Sequence, residues 1–172
     1  MNIVSDWTRQ VELGQKPSQA DLLDHLKIIH QNNTGFTEKI ANNCKDKFGN
    51  NSYDILLDVL DKKKHLNVLD IACGSRFLLD LCNKKFNGEL LLTGIDMSFA
   101  ELELARKKLS NTKIKLHQSM AQELDFLKDN SFEVILCHWA LPLMDPIEPV
   151  FSTVKRILKN KGVFAAIIDG DV

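Results

Sequence analysis

The sequence lacks the features that mark several large classes of protein. Its four cysteines form no CxxC pair, and no apolar run follows a basic start as in a signal peptide. The longest apolar runs, such as Val163 to Ile168, are far below the roughly 20 residues that a membrane-spanning helix needs. These absences predict a reduced, cytoplasmic protein without a membrane segment.

The sequence also lacks an excess of either charge. It has 22 lysines and arginines against 23 aspartates and glutamates, so no general attraction to phosphate backbones or anionic lipids is expected, and binding of nucleic acid is unsupported. With only 4 prolines, 44% hydrophobic and 26% charged residues in 172, the composition is that of one folded globular domain.

The first 65 residues are expected to form a helical cap segment. Ser18 and Asp21 make a capping-box-like start, after which leucines and isoleucines recur at helical spacing. A second helix is predicted from Thr37 towards Phe48, and a third is predicted with Ser52 as its cap.

From residue 66 to residue 172 the pattern changes to short apolar runs separated by helical stretches. Near-continuous apolar runs are typical of strands buried on both faces of a parallel sheet. The predicted fold class is therefore α/β, a Rossmann-like, doubly wound, mainly parallel sheet of about five strands with the N-terminal helical cap. The predicted strands are Val68–Ala72, Leu90–Ile95, Ile114–Leu116, Phe132–Cys137 and Val163–Ile168, and the predicted crossover helices are Phe77–Phe86, Phe99–Leu109 and Pro149–Leu158.

Two strand ends carry the pattern of a nucleoside site. The strand beginning at Val68 ends in small residues around Gly74, where a ligand can approach the backbone closely. Asp96 follows the next strand 22 positions later, where a carboxylate can accept both hydrogen bonds of a ribose diol. Ser98 and Glu101 form a second capping-box pattern, which leaves Met97 either against a flat adenine or simply in the core.

From about Asn67 to Asp169 these motifs resemble the class I S-adenosylmethionine-dependent methyltransferases. Residues 68–75 resemble the glycine-rich first motif of that family, and residues 94–98 resemble its acidic second motif. Residues 118–126 and 130–138 are similar to its third strand, adenine loop and fourth strand, and residues 156–162 to the turn before strand five.

The resemblance implies S-adenosyl-L-methionine as cofactor and a set of site residues. His138 and Trp139 would contact the acceptor, with His138 able to remove a proton near neutral pH; a packed histidine beside a packed tryptophan is the alternative. The N-terminal helices would cover the site as a lid. The implied cofactor-binding residues are Asp70, Ala72, Cys73, Gly74, Ser75, Asp96, Met97, Met120, Ala121, Gln122 and Cys137.

The sequence departs from the family at several of these positions. Ala72 and Arg76 occupy positions where the first motif usually has glycine; alanine is acceptable there if its backbone dihedrals are ordinary. Arg76 either weakens binding of the cationic cofactor, points outward, or contacts the methionine carboxylate. Met120 replaces an acidic residue of the adenine loop, so that either Gln122 or a backbone carbonyl takes over that contact or the contact is lost. The family's strands six and seven are absent before Val172, and we expect an open sheet edge that a partner or a second copy could cover.

Three functions are compatible with these patterns. The first is an enzyme that transfers methyl groups from S-adenosylmethionine to an acceptor, more consistent with a small molecule than with a protein. The second is a non-catalytic or truncated domain that binds S-adenosylmethionine or S-adenosylhomocysteine weakly or acts with a partner. The third, a nicotinamide-dependent oxidoreductase, is disfavoured because G-x-G-x-x-G is missing. A metal site is not indicated, since the spacing of His25, His30 and Cys44 matches no usual ligand set.

Overall fold

The computed structural model describes residues 4–60, 66–108 and 113–168 and contains one sheet of five parallel strands. Their spatial order is β3-β2-β1-β4-β5. After β1, the chain adds β2 and β3 on one side of β1 and then β4 and β5 on its other side, so the order reverses at the neighbouring strands β1 and β4. Ligands of open α/β sheets bind at the carboxyl ends of the strands beside such a reversal. The strands are β1 (Asn67–Ile71), β2 (Leu91–Asp96), β3 (Lys115–Gln118), β4 (Phe132–His138) and β5 (Leu158–Ile167).

Helices precede the sheet and connect its strands. In the described part of the chain no helix is both long enough and apolar enough to cross a membrane. A short 3-10 turn at Leu141–Leu143 follows β4. The cap helices are α1 (Asp6–Glu12), α2 (Gln19–Asn32), α3 (Phe36–Asn43) and α4 (Ser52–Asp58), and the crossover helices are α5 (Phe77–Lys85), α6 (Phe99–Lys107) and α7 (Glu148–Ile157).

The two faces of the sheet are covered by separate apolar clusters. Successive residues of a strand point to opposite faces, so Val68 joins the cluster with α4, α5 and α6, whereas Leu69 joins the cluster with α7. The side chains of β1 and β4 are almost entirely buried in both directions. This explains why the strand sequences are continuously apolar rather than alternating, and it confirms the predicted α/β class.

The boundaries of several elements differ from the predictions by a few residues. Ser18 caps α2 and forms the expected capping box with Asp21. The cap of α4, however, is Asn51 rather than Ser52, because the Asn51 side chain accepts the first free N–H groups of that helix. Helix α3 ends at Asn43, short of the predicted Phe48. The backbone N–H groups of Phe48 and Asn50 donate to the Asp46 carboxylate and form a turn in place of a further helical turn.

Strand β5 is longer than the sequence pattern predicts. It begins at Leu158, directly after α7. Leu158 pairs with Phe132 of β4, and after an irregularity the pairing resumes from Val163 to Ile167. No described strand pairs with its other side, so β5 forms an edge of the sheet. The predicted helix end at Leu109 lies outside the described residues.

Gly94 marks the closest approach between the sheet and a helix. It lies in the middle of β2, and a Cβ atom there would come within 2.7 Å of Cys73 Sγ and 2.8 Å of Leu79 Cδ1. Both distances are too short for carbon contacts, so only glycine lets α5 pack this closely on β2.

Replacing Gly94 with alanine is therefore expected to lower the free energy of unfolding by about 1–3 kcal/mol through overpacking. Urea denaturation followed by circular dichroism measures this loss. In a double-mutant cycle with Leu79→Val, which removes part of the clash, the combined loss should be smaller than the sum of the single losses. Strictly additive losses would contradict the assigned contact.

Candidate functional site

A cavity of about 560 Å³ lies between the carboxyl ends of the strands and the cap. Its floor is formed by the residues that follow β1, β2 and β4, and helices α2 and α3 contribute to its walls. Cavities of roughly 300–1,000 Å³ hold small ligands in proteins. The position at the strand ends is the one that the sheet topology predicts.

The loop after β1 has a left-handed backbone at every second residue. The φ angles are +60° at Ala72, +50° at Gly74 and +65° at Arg76. The condition stated for alanine at this position, ordinary backbone dihedrals, is therefore not met at Ala72. The left-handed conformation costs a residue with a Cβ atom about 1–2 kcal/mol, so the loop retains the glycine geometry although two of its three positions lack glycine.

The carboxylate of Asp96 holds this loop against the turn after β2. Its two oxygens accept the backbone N–H groups of Gly74 and Ser98, each at 2.7 Å. Burial raises the pKa of Asp96, while these two hydrogen bonds oppose that change by favouring the charged form. Asp96 also lines the cavity, at the position expected for a ribose-binding carboxylate.

Arg76 is directed away from the cavity. Its guanidinium is buried, forms an ion pair with Asp80 at 2.9 Å and donates to the backbone carbonyl of Lys108 at 3.0 Å. It is not among the residues that line the cavity. The sequence analysis did not foresee this arrangement: the side chain points away from the cavity, but it is buried and connects α5 to the end of α6.

Asp70 is the buried acid of the cavity that lacks a partner among the described residues. Its side chain lines the cavity and is 2% exposed, and no group donates to its Oδ1 atom. Burial raises the pKa of this carboxyl well above its usual value, and the charge of Asp96 raises it further. A cation placed beside Asp70 would provide the missing partner.

Glu101 fastens the cap to the sheet domain. The predicted capping box is only half formed: the Ser98 side chain accepts the Glu101 N–H, but the Glu101 carboxylate turns away from Ser98. It accepts instead from His30 Nδ1 at 3.0 Å and from the Gly35 N–H at 2.9 Å. The hydrogen bond to Glu101 raises the pKa of His30, and the opposing effect of burial is smaller.

Further polar contacts join the cap to the loops around the cavity. Ser75 donates to Glu38 of α3 at 3.1 Å, and Lys108 Nζ reaches both side chains. At the other end of the cap, the amide of Gln19 donates to the backbone carbonyl of Asp145. The cap is thus attached on both sides of the cavity.

His138 is held by two consecutive residues of the cap. Its Nε2 lies 2.7 Å from Ser52 Oγ, and its ring stacks on Tyr53 with centroids 3.9 Å apart. Nδ1 is buried without a partner among the described residues. Burial lowers the pKa of His138 to about 4, so the ring is neutral near pH 7 and is a weaker base than an ordinary histidine. Trp139 packs beside it, with ring centroids 4.7 Å apart.

The structure brings nearly all of the sequence-predicted site residues to one cavity. Cys137 is the exception: its side chain is fully buried in β4 and is not among the lining residues. The amide of Gln122 donates to the carbonyl of Pro146 at 3.3 Å. The predicted residues that line the cavity are Asp70, Ala72, Cys73, Gly74, Ser75, Asp96, Met97, Met120, Ala121, Gln122, His138 and Trp139.

Several cavity residues were missed by the sequence analysis. Tyr53, Phe36 and the apolar face of α2 line the cavity, and Glu101 closes it. The helical spacing of the leucines on α2 was visible in the sequence, but that pattern does not distinguish a face packed on a core from one that lines a cavity. His25, considered with His30 and Cys44, is instead bonded to Ser5 at 2.8 Å.

Comparison with known families gives a match over more than half of the chain. Residues 69–166 match the family described as a methyltransferase domain. This range contains the loop after β1, Asp96, and His138 with Trp139.

Individual relatives agree with that match. The chain is 30% identical over 107 residues to a demethylmenaquinone methyltransferase of Symbiobacterium thermophilum, covering 59% of this chain and 41% of that protein. It is 29% identical over 107 residues to a ubiquinone biosynthesis O-methyltransferase of Pasteurella multocida, covering 56% and 43%. An S-adenosylmethionine-dependent methyltransferase from Mesorhizobium loti has a similar fold, with a TM-score of 0.57, 22% identity and coverage of 65% and 51%. The chain thus spans 41% and 43% of the lengths of the relatives from S. thermophilum and P. multocida, less than half of each.

The left-handed φ of Ala72 leads to a test by substitution. Ala72→Gly removes the steric cost and is expected to raise the free energy of unfolding by up to about 1 kcal/mol, after the entropic cost of glycine is subtracted. The matched control is Ala100→Gly in helix α6, where the backbone is helical and glycine is unfavourable. This variant should lose about 1 kcal/mol of its free energy of unfolding. Urea denaturation measures both, and a similar loss at both positions would argue against the left-handed loop.

The raised pKa of His30 predicts how stability depends on pH. Because the folded state binds this proton more tightly, the contribution of protonated His30 is complete below its unfolded pKa of about 6.5 and is lost as the pH rises through the higher folded value. His30→Gln should therefore destabilise the protein more at pH 5.5 than at pH 8.5. The lowered pKa of His138 has the opposite effect on the pH dependence of stability. Because His138 is present in both wild type and His30→Gln, its effect cancels when their free energies of unfolding are subtracted. Urea titrations at pH 5.5 and pH 8.5 measure the free energy of unfolding of both proteins. If wild type and His30→Gln differ by the same amount at both pH values, the ion pair is contradicted.

Proposed function

Because the chain belongs to the methyltransferase-domain family, within the class I S-adenosylmethionine-dependent methyltransferases, we propose that it transfers a methyl group from S-adenosyl-L-methionine to a small-molecule acceptor. The cofactor of this family is S-adenosyl-L-methionine. The observation that carries the proposal is the pair of buried carboxylates, Asp70 and Asp96, at the ends of adjacent parallel strands in one cavity.

The chemistry of the cavity fits this cofactor. Its methionine part carries an ammonium and a sulfonium group, and Asp70 is a buried carboxylate that lacks a cationic partner among the described residues. Asp96 would accept from the ribose hydroxyls, and Met97, Met120 and Ala121 would enclose the adenine. The first turn of α5, directly after Arg76, offers backbone N–H groups to the methionine carboxylate.

The acceptor would lie between the cap and the end of β4. Tyr53, His138 and Trp139 form a wall of packed rings there. The relatives from S. thermophilum and P. multocida are named for small-molecule acceptors. A cavity closed by cap helices suits a small molecule better than a protein side chain on a large surface.

When bound, the cofactor supplies a methyl group on a cationic sulfur. The protein's contribution is to align acceptor, methyl carbon and sulfur and to exclude water, since orientation alone accounts for a large part of such rate enhancements. His138 would act chiefly by positioning, because Ser52 engages Nε2 and burial lowers the pKa of the ring to about 4.

Calorimetric titration with S-adenosylmethionine and S-adenosylhomocysteine tests the cofactor site. Wild-type protein is expected to bind both ligands. Asp96→Asn should weaken both affinities by about 10- to 100-fold, the value of a hydrogen bond to a charged group.

The matched control is Asp125→Asn, which changes an exposed carboxylate outside the cavity and should leave both affinities unchanged. Thermal unfolding of each variant separates loss of the site from loss of the fold. If the folded wild-type protein binds neither ligand, the proposed function is wrong.

A further inference from the structure

The charges on the cavity walls are of one sign. None of the described residues that line the cavity is a lysine or an arginine, whereas five are acidic. Among the described residues, the lining side chains that could become cationic are His30, which is bound to Glu101, and His138, whose pKa burial lowers to about 4. The acidic residues are Glu38, Asp70, Asp96, Glu101 and Asp145.

Most of these carboxylates already have partners. Asp96 accepts two backbone N–H groups, Glu101 accepts from Gly35 and His30, and Glu38 accepts from Ser75 and Lys108. Asp145 is exposed. Asp70 is left inside, and in the proposed function it faces the ammonium group of the cofactor. Among the described lining residues, the interior therefore has no cationic side chain to pair with an anionic acceptor. It also has no further unpaired buried carboxylate to pair with a cationic acceptor.

The rest of the cavity wall is apolar. Helix α2 directs Leu22, Leu26 and Ile29 into the cavity, one helical turn apart. Ile40 and Leu143 line the cavity and are also 47% and 41% exposed, so the opening is edged by apolar side chains as well.

We propose, on the basis of the proposed function, that the acceptor is an uncharged, predominantly apolar molecule. An anionic acceptor would bury a charge without a counter-ion beside acidic side chains, which is strongly unfavourable. In the transfer, the nucleophilic atom of the acceptor would form a bond to the methyl carbon as the bond between that carbon and sulfur breaks. The electron pair would stay on sulfur, which yields S-adenosylhomocysteine, and the proton lost by the acceptor would pass to solvent at the cavity opening beside Ile40 and Leu143.

Two ring compounds that differ only in a remote carboxylate test this charge selection. Calorimetry on the protein saturated with S-adenosylhomocysteine would compare 2-naphthol with 6-hydroxy-2-naphthoate. We expect 2-naphthol to bind and the naphthoate to bind at least about tenfold more weakly, a difference of about 1.4 kcal/mol.

A charge introduced into the wall should reverse this preference. Leu26→Lys places a cation inside the cavity and is expected to improve the affinity for the naphthoate relative to 2-naphthol by at least about tenfold. Gln31→Lys adds the same charge to an exposed position of α2 outside the cavity and should leave the ratio unchanged. Thermal unfolding and the affinity for S-adenosylhomocysteine verify that both variants are folded.

The outcomes separate this inference from the proposed function. If S-adenosylhomocysteine does not bind, the proposed function fails first. Two results would rule out only the uncharged acceptor, provided that S-adenosylhomocysteine binds. One is that the naphthoate binds as tightly as 2-naphthol or more tightly, and the other is that 2-naphthol does not bind to the protein saturated with S-adenosylhomocysteine. An unchanged ratio in folded Leu26→Lys would also contradict the inference.

Discussion

The carboxylate of Asp96 joins the two turns on which the site is built. By accepting N–H groups from Gly74 and Ser98 at 2.7 Å each, it fixes the loop after β1 relative to the start of α6. The left-handed angles of Ala72 and Arg76 cost energy, and a loop that carries such strain persists only when surrounding interactions determine its shape. The hydrogen bonds of Asp96 and the ion pair between Arg76 and Asp80 hold the loop in this shape.

The same turns also receive the cap. Glu101 is at the third position of α6, so the helix that Ser98 caps also presents the carboxylate that binds His30 and Gly35. On the opposite side Ser52 and Tyr53, at the start of α4, hold the ring of His138. Polar groups fasten the cap at the rim, while apolar residues of α2 face the interior. The result is a largely apolar cavity under the cap, whose described lining residues include five acidic ones and no lysine or arginine.

The fold followed closely from the pattern of the sequence. Continuous apolar runs predicted five parallel strands buried on both faces, and Ser18 with Asp21 marked the start of α2 correctly. The sheet has five parallel strands, but the outer strands β3 and β5 are only partly buried. The errors were local, because competing side chains decide where helices begin and end: Asn51 caps α4 in place of Ser52, and Asp46 closes a turn soon after α3. Such competition depends on geometry that spacing does not encode.

The candidate site divides in the same way. The sequence by itself determined that small residues after β1 and an aspartate after β2 would meet, since the ends of adjacent parallel strands lie at one edge of a sheet. Only the tertiary structure decided which partners the long side chains choose: Arg76 turns to Asp80, Glu101 leaves Ser98 for the cap, and His138 is closed off by Ser52. The apolar pattern that marks a strand is a local property of the chain. The contacts of Glu101 with Gly35 and of His138 with Ser52 instead join residues 66 and 86 positions apart, and their meeting depends on how the cap packs on the sheet.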